Sequence, residues 1–408
     1  MNTNQINSDI AHDQDWDVAQ DWDVAIVGAG IVGLAHAWSS AKRGRSVLVL
    51  ERNNYAVGAS IRNFGMIWPI GQKPGPLYRL AMESRVSWNE FARQSRTWLQ
   101  NCGSLHVVYE EDEAEVLKQF CQLTAATHQC EFLDATEISE RFPAINTNSL
   151  VGGLWSNTES VINPRQAIAQ LANWLSREYS VQILYQKQVN QVGPNLLRTS
   201  DGQHYSAKQI FICSGIDFLT LYPEVYRELK LSRCKLQMMK LAAQPQSWSF
   251  GPHLAGGLTL IHYPAFQICS KIKEVRSRLE NRSPEYIDHG IHVMMSQNQD
   301  RELVIGDSHH YQERSTPFDQ ERVNQLILQY LDKMIHLPNK TISERWHGYY
   351  AKHQSQAIIY KDVEPGITIV TGIGGNGMTM SFGWAEEWWL HHEKSPTVPF
   401  SPQLLGVE

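Results

Sequence analysis

The chain has 408 residues, of which 42% are hydrophobic and 19% are charged, a balance typical of a soluble globular protein rather than a disordered one. This length predicts two or three structural units with a large buried core. The formal net charge of −6, without a block of basic residues, argues against nucleic acid as a partner.

The sequence indicates neither membrane insertion nor export. Residues 24–38 form the most apolar segment, but it is too short to cross a membrane and contains several glycines. Residues 1–20 are polar and acidic, without the basic start and apolar run of a secretory signal. The 6 cysteines have no CxxC spacing. We therefore expect a cytoplasmic protein with reduced thiols and no integral membrane segment.

In chain order, the first predicted elements form a βαβ unit. The sequence QDWDVA at residues 14–19 recurs at residues 20–25, but only the second copy leads into a strand and a glycine turn. Residues 1–21 are therefore predicted to be a disordered or frayed extension. A strand, a helix and a strand follow at residues 24–27, 31–43 and 46–50.

The later elements return to a sheet and add a second layer. Apolar residues at helical spacing predict helices after Asn163-Pro164 and within residues 320–334. Residues 231–307 are rich in strand-forming and aromatic residues, which predicts a second, mostly antiparallel sheet with an irregular basic insert at residues 271–282. Further predicted elements are strands at 181–185, 209–213 and 367–370, and a helix at 379–391.

The strongest motif is the sequence GAGIVG between the first strand and the first helix. Gly28 permits a tight turn, Gly30 lets the backbone approach a pyrophosphate, and Gly33 allows the helix to contact the sheet closely. Amides at the helix start, such as that of Ile31, face the phosphates. Glu51, 18 positions beyond Gly33, can accept a hydrogen bond from a ribose 2′-hydroxyl and disfavours NADP. The motif predicts FAD or NAD, with a purely structural glycine turn as the alternative.

The remaining glycine turns favour FAD over NAD. The fingerprint begins the fold, and two further strands end in glycines, at Ser214-Gly215 and at residues 372–377. The second turn opens a helix, so its amides can stabilise negative charge on a reduced isoalloxazine ring. An ordinary strand-to-helix turn is the alternative interpretation.

With these motifs the chain resembles the D-amino-acid oxidase, glycine oxidase and sarcosine oxidase superfamily of FAD enzymes. The resemblance covers nearly all of residues 22–392. It rests on VAIVGAGIVGLAHAW, GASIRNFGM at 58–66, VINP at 161–164, IFICSG at 210–215, RWHG at 345–348 and GIGGNGMTMSFG at 372–383. Within the superfamily the chain is most similar to a bacterial branch associated with organophosphonate breakdown, in which GASIRNFGMIWP-like segments occur.

The resemblance implies an α/β fold of the D-amino-acid oxidase type. Its FAD-binding, Rossmann-like domain is expected to be discontinuous and to comprise residues 22–80, 145–225 and 340–395. A second domain with a mostly antiparallel β-sheet, which would hold the substrate, is expected to comprise residues 81–144 and 226–339.

The resemblance also implies non-covalently bound FAD. Sarcosine-type oxidases attach FAD through a late cysteine, and no cysteine follows Cys269 here. In the superfamily, a serine-bearing stretch after the acidic ribose-binding residue lies along the flavin. The fingerprint and the resemblance together predict the cofactor-binding residues Gly28, Gly30, Ile31, Gly33, Glu51, Arg52, Ser60, Asn63, Gly65, Met66, Val189, Ser214, Gly215, Gly374, Gly375, Asn376, Gly377, Met378 and Thr379.

One departure from the superfamily concerns the substrate. D-amino-acid and glycine oxidases carry an arginine just after a Trp-x-Gly, and its planar guanidinium pairs with the substrate carboxylate. Aligning Trp346 and Gly348 on that pattern places Tyr350 at the position of the arginine. A standard α-amino acid anchored in that manner is therefore not expected.

The other pocket residues are candidates by residue type and position. The candidate catalytic residues are His347, Tyr349 and Tyr350, and the candidate substrate-binding residues are Arg62, Lys352 and His353. For each, a packing residue or a surface cation is the alternative. No metal site is expected, because the pairs His309-His310 and His391-His392 lack metal-ligand spacing.

These observations predict an enzyme that oxidises a small primary or N-methylated amine, with an aminoalkylphosphonate such as 2-aminoethylphosphonate or its N-methyl form as the favoured substrate. A hydride passes to flavin N5, the resulting imine is hydrolysed to an aldehyde and an amine, and dioxygen reoxidises the flavin. The alternatives are a glycine, sarcosine or D-amino-acid oxidase, a dehydrogenase with another electron acceptor, and a non-catalytic flavin-binding protein. An oxidative RNA-modifying enzyme is disfavoured by the acidic balance.

Overall fold

The computed structural model describes residues 21–311, 316–395 and 398–405, with residues 404–405 described by their backbone alone. The predicted N-terminal extension lies outside the described residues except for Asp21, which begins the first strand. The strands of the described residues are, in chain order, β1 (Asp21–Val27), β2 (Val47–Leu50), β3 (Met66–Ile67), β4 (Leu99–Asn101), β5 (Ser104–Val108), β6 (Cys130–Asp134), β7 (Gly152–Ser156), β8 (Ser160–Ile162), β9 (Gln182–Leu184), β10 (Val189–Gly193), β11 (Leu196–Thr199), β12 (His204–Ile212), β13 (Ser232–Leu241), β14 (His253–Gly256), β15 (Met294–Gln297), β16 (Leu303–Gly306), β17 (His310–Tyr311), β18 (Ile342–Lys352), β19 (Ile359–Glu364) and β20 (Ile367–Thr371).

The α-helices lie between these strands and cover the sheets. They are α1 (Ile31–Ala41), α2 (Pro76–Ser95), α3 (Glu111–Thr124), α4 (Ala135–Arg141), α5 (Pro164–Tyr179), α6 (Pro223–Glu228), α7 (Ile272–Arg282), α8 (Pro284–Asp288), α9 (Glu321–Met334) and α10 (Gly377–Lys394). Within the described residues, no helix combines the length and the apolar character needed to cross a membrane.

The first sheet has a parallel centre. Strands β20, β12, β1, β2 and β9 lie side by side and run in the same direction, while β10, β11 and β19 pair antiparallel at its margins. Val24 and Ile26 of β1 are fully buried and pack against helix α1. The register places Val27, Leu50 and Ile212 beside one another at the carboxyl ends of three strands. In open parallel sheets this edge is where ligands bind.

The second sheet is mostly antiparallel, as predicted. Its order is β17-β13-β16-β15-β14-β5-β7-β6, with β18 also paired to β13, and only the β14–β5 pair among these strands is parallel. Strands β7 and β18 belong to this sheet, although their residues fall in segments that we assigned to the FAD-binding domain. A separate small sheet has the order β3-β8-β4.

Two helices show how local sequence determines their ends and faces. Helix α5 begins after Asn163, whose side chain accepts a hydrogen bond from the Arg165 amide at 3.2 Å, with Pro164 in the first position, as predicted. The prediction of an irregular insert at residues 271–282 was wrong, because this segment is helix α7. Its residues Ile272, Val275 and Leu279 have helical spacing and are buried.

Candidate functional site

A cavity of about 500 Å³ lies between the carboxyl edge of the first sheet and one face of the second sheet. Its volume is within the range of about 300–1,000 Å³ that is usual for small-molecule sites. The glycine turn after β1, the turn before α10, and residues of β13 and β18 all line it. The sheet register therefore brings together motifs that are far apart in the sequence.

The three glycines of the first turn have different environments. A Cβ on Gly28 would lie 2.6 Å from the carbonyl oxygen of Cys213, and a Cβ on Gly33 would lie 2.0 Å from that of Gly28. Both positions are therefore restricted to glycine by the packing of the chain itself. A Cβ on Gly30 would meet, among the described residues, only the Ser60 Oγ, at 3.1 Å. The space beside Gly30 instead opens into the cavity.

The start of helix α1 is suited to a phosphate. The helix has no acidic residue in its first turn, and its N-cap residue is a glycine without a side chain, so the positive end of its dipole can face an anion in the cavity. The Ile31 amide donates to Ser60 Oγ at 2.9 Å. The open cradle at Gly30 and this positive helix end fit the pyrophosphate of a dinucleotide.

Glu51 is held at the end of β2 by the backbone around it. Its carboxylate accepts hydrogen bonds from the amide of Ala29 at 3.0 Å and from the amide of Asn53 at 2.9 Å. The side chain is buried and lines the cavity. Its position agrees with the predicted contact to a ribose hydroxyl, because each carboxylate oxygen can accept more than one hydrogen bond.

The turn before α10 lines the cavity from another side. Gly374 has a φ of 63°, in the left-handed region, and the Tyr350 ring packs against Gly374 and Gly375. Asn376 Oδ1 accepts from Gln72 Nε2 at 3.1 Å. The turn is thereby held between β18 and the segment before α2.

Most of the predicted site residues line this one cavity. They are Gly28, Gly30, Ile31, Glu51, Arg52, Ser60, Arg62, Asn63, Val189, Ser214, Gly215, Tyr349, Tyr350, Lys352, Gly374, Gly375, Asn376, Gly377 and Met378.

Four predicted cofactor residues lie behind the cavity wall. Gly33 lets α1 approach the first turn, and a Cβ on Gly65 would lie 2.0 Å from a backbone oxygen. Met66 is buried in β3, and Thr379 Oγ1 accepts from the Trp68 amide at 3.0 Å. These residues support the wall without lining it.

The structure does not bring His347 and His353 to the cavity. The Nδ1 of His347 lies 3.1 Å from an Asp319 carboxylate oxygen on the outer side of β18. His347 and Tyr350 are three positions apart on one strand, so their side chains point to opposite faces. His353 Nδ1 accepts from the amide of Gln356 at 3.1 Å, which closes a turn.

Two cations, Arg62 and Lys352, and the side chain of Tyr350 line the substrate side. Arg62 Nη1 donates to the carbonyl of His347 at 3.2 Å, and Lys352 Nζ donates to the Tyr311 hydroxyl at 3.3 Å. Within the described parts of the chain, neither cation forms an ion pair with a carboxylate. Burial lowers the pKa of Lys352 and raises that of Tyr350 well above its usual value. Tyr350 therefore stays protonated and can donate a hydrogen bond.

The sequence analysis missed His262, His292 and Asp307 of the same wall, and it considered His309 only as a pair with His310. His262, His292 and His309, which we call the histidine cluster, line the cavity together with Asp307. Burial lowers the pKa of each histidine, that of His309 to about 3, and raises the pKa of Asp307 well above its usual value. The spacing of these residues gives no motif; only their convergence from separate loops reveals them.

Comparison with known proteins identifies the family. Residues 23–388 match the family described as FAD dependent oxidoreductase, abbreviated DAO. The chain belongs to this family. FAD is therefore its cofactor. The parts of the cavity that fit FAD are the open space beside Gly30 at the start of α1, the Glu51 carboxylate and the turn before α10.

Individual relatives show a broader range of substrates in their names. Glycerol 3-phosphate dehydrogenase of Caloramator mitchellensis is 24% identical over 48% of this chain and 42% of its own length. Human peroxisomal sarcosine oxidase is 26% identical over 48% of this chain and 50% of its own length. The chain thus spans half or less of these relatives. The crystal structure of glycine oxidase from Geobacillus kaustophilus has a TM-score of 0.74, with 16% identity over 95% of this chain and 98% of that one. This likeness confirms the predicted fold.

Proposed function

We propose that this oxidoreductase acts on a small primary or N-methylated amine that bears an acidic group other than an α-carboxylate. Aminoalkylphosphonates, such as 2-aminoethylphosphonate or its N-methyl form, are the preferred class. The observation that carries the proposal is that Arg62 and Lys352 line the cavity without carboxylate partners in the described chain. The superfamily resemblance adds that Tyr350 aligns with the arginine of related oxidases.

The charges support an acidic substrate group. A buried phosphonate that remained unpaired would be strongly unfavourable, and two cations that line the cavity without a carboxylate partner in the described chain can offset its charge. The amine is supported by the names of two sequence relatives, glycine oxidase of Geobacillus kaustophilus and human peroxisomal sarcosine oxidase. In this proposal the first sheet and its helices hold FAD, and the second sheet supplies the substrate wall.

FAD, when bound, supplies the oxidising power by accepting two electrons and a proton equivalent from the amine carbon. The residues of the chain position the substrate: Arg62 and Lys352 hold its acidic group, and the Tyr350 hydroxyl donates a hydrogen bond. Holding the amine against the turn before α10 and excluding water account for much of the expected rate. Water then hydrolyses the released imine to an aldehyde and ammonia, or to an aldehyde and methylamine from the N-methyl form. We further propose dioxygen as the electron acceptor, non-covalent FAD and a cytoplasmic location.

An anaerobic stopped-flow assay tests this function. Flavin reduction is followed with 2-aminoethylphosphonate, its N-methyl form, glycine, sarcosine, D-alanine and glycerol 3-phosphate. We expect the two phosphonates to reduce the flavin fastest. Rapid reduction by D-alanine without a response to either phosphonate would contradict the proposal. Mixing the reduced enzyme with dissolved oxygen then tests the acceptor.

Arg62→Ala tests the wall directly. Loss of a charge-assisted hydrogen bond costs about 1.5–3 kcal/mol, which corresponds to an increase of roughly 10-fold to 100-fold in the half-saturating concentration of phosphonate. Arg79→Ala is the matched control, because Arg79 pairs with Glu83 on the surface of α2 and does not line the cavity. If the half-saturating concentration of phosphonate is unchanged in Arg62→Ala, Arg62 does not bind the acidic group.

A further inference from the structure

The histidine cluster is assembled from three loops. His262 directly follows a short 3-10 helix at Gly257–Ile261, His292 precedes β15, and His309 lies between β16 and β17. The ring centroid of His262 lies 3.8 Å from that of His292 and 4.4 Å from that of His309. Each histidine offers one nitrogen such that these atoms all lie within 4.8 Å of one another.

Ring nitrogens of His309 and His292 have lone pairs that are available to a ligand. His309 Nδ1 lies 3.1 Å from the carbonyl oxygen of Gly290, so Nδ1 carries the proton and Nε2 is left with a lone pair. Backbone carbonyls commonly orient metal-binding histidines in this way. His292 is only 3% exposed, yet neither of its ring nitrogens has a hydrogen-bond partner among the described residues. Such an unpartnered buried group is unfavourable unless something else satisfies it.

Asp307 lies beside two of the three histidines. Its Oδ1 lies 3.1 Å from His292 Nε2, and its Oδ2 lies 3.7 Å from His309 Nε2. The Oδ1 contact is short but is not aligned as a hydrogen bond. Around a tetrahedral zinc ion with bonds of about 2.0–2.1 Å, neighbouring ligand atoms are about 3.3 Å apart. The 3.1 Å contact between Asp307 and His292 is close to this spacing, whereas the 3.7 Å contact with His309 involves the other carboxylate oxygen. The farthest pair of histidine nitrogens needs to approach by about 1.5 Å.

We propose that His262, His292 and His309, with Asp307 beside two of them, bind one divalent first-row transition metal ion. Imidazole nitrogens with one carboxylate are ligands that such ions prefer. A metal satisfies the lone pairs of all three rings at once, and Asp307 offsets part of its charge. The alternative, protonated histidines that bind an anion, places several positive charges within a few ångströms of one another, where they repel strongly. This proposal does not depend on the identity of the amine substrate.

Metal binding to the FAD-loaded protein provides the test. The purified protein is treated with a chelator, dialysed against Zn²⁺, and analysed for zinc and flavin. We expect one zinc per chain in the natural protein and at least a 100-fold weaker affinity in the double variant His292→Gln/His309→Gln. His310→Gln is the matched control, because His310 follows His309 in the chain but lies outside the cluster. It should bind zinc normally.

Flavin content and melting temperature show whether each variant folds. If the double variant loses FAD, His262→Gln replaces it, because His262 is the least buried member of the cluster. In the natural protein, Zn²⁺ should also raise the melting temperature. The proposal is overturned if the natural protein binds no more zinc than the cluster variant. It is equally overturned if inorganic phosphate, rather than zinc, binds in a manner that requires the cluster.

Discussion

Replacing Gly30 by valine should remove FAD while leaving the apoprotein folded. Gly30 has extended backbone angles, with φ −71° and ψ 173°, which valine adopts without strain. Within the described structure, the added Cβ meets only the hydroxyl of Ser60, at 3.1 Å, and that side chain can rotate. The remaining methyl groups occupy the space beside the positive end of α1. The fold therefore tolerates the change, whereas a pyrophosphate does not.

The size of the effect follows from ligand linkage. FAD at 100 times its dissociation constant contributes about 2.7 kcal/mol to stability. At about 1.2 °C per kcal/mol for a chain of 408 residues that unfolds as one unit, losing this contribution lowers the melting temperature by roughly 3 °C. The melting temperature of Gly30→Val should therefore equal that of the natural protein from which FAD has been removed, and added FAD should not raise it.

Gly33→Ala provides the contrast. Its Cβ would lie 2.0 Å from the carbonyl oxygen of Gly28, so the backbone has to move, and such overpacking costs about 1–3 kcal/mol or more. This variant should melt below the natural apoprotein. Gly193→Ala, where no described atom lies within 4 Å of the added Cβ, is the control. Gly30→Val that retains one FAD per chain after gel filtration would refute the placement of the pyrophosphate.

Three further predictions concern the cofactor and the acid stability of the protein. The flavin should be released into the supernatant when the protein is denatured, and flavin that remains with the precipitated chain would show covalent attachment. Asn376→Ala should shift the flavin reduction potential, measured by spectroelectrochemistry, with little change in melting temperature. An unchanged potential would show that Asn376 does not contact the flavin. Burial lowers the pKa of His36 and of His253 to about 4. Because the unfolded residues titrate near 6.5, unfolding takes up protons below that pH, so each should cost about 2 kcal/mol at pH 5 relative to pH 7. Urea unfolding at the two pH values measures this loss, and His36→Gln should reduce it.

The first βαβ unit could be predicted closely because its signals are local. Residues 31–43 were predicted as a helix, and α1 spans Ile31–Ala41. Glycine spacing and apolar periodicity act over a few residues, so they need no knowledge of the tertiary structure. Helix α7 was missed for the opposite reason: its many charged residues hide a narrow apolar stripe that is buried only in the assembled protein.

The substrate wall could be predicted only in part. Tyr350 and Lys352 line the cavity because the pairing of β18 with β13 turns that face of the strand inward, whereas the same pairing turns His347 outward. A one-position change of register would reverse these outcomes, and the sequence does not reveal the register. The histidine cluster depends on three loops whose convergence follows from the second sheet as a whole.

The most direct test of the proposed function compares 2-aminoethylphosphonate with β-alanine, which has the same amine and carbon chain but a carboxylate in place of the phosphonate. Anaerobic rate constants for flavin reduction are measured with both compounds under the same conditions. Because Arg62 and Lys352 line the cavity without carboxylate partners in the described chain, we expect faster flavin reduction and a lower half-saturating concentration with the phosphonate. Equal or faster reduction by β-alanine would contradict the preference for a phosphonate. No reduction by either compound while glycine reacts would contradict the proposed function itself.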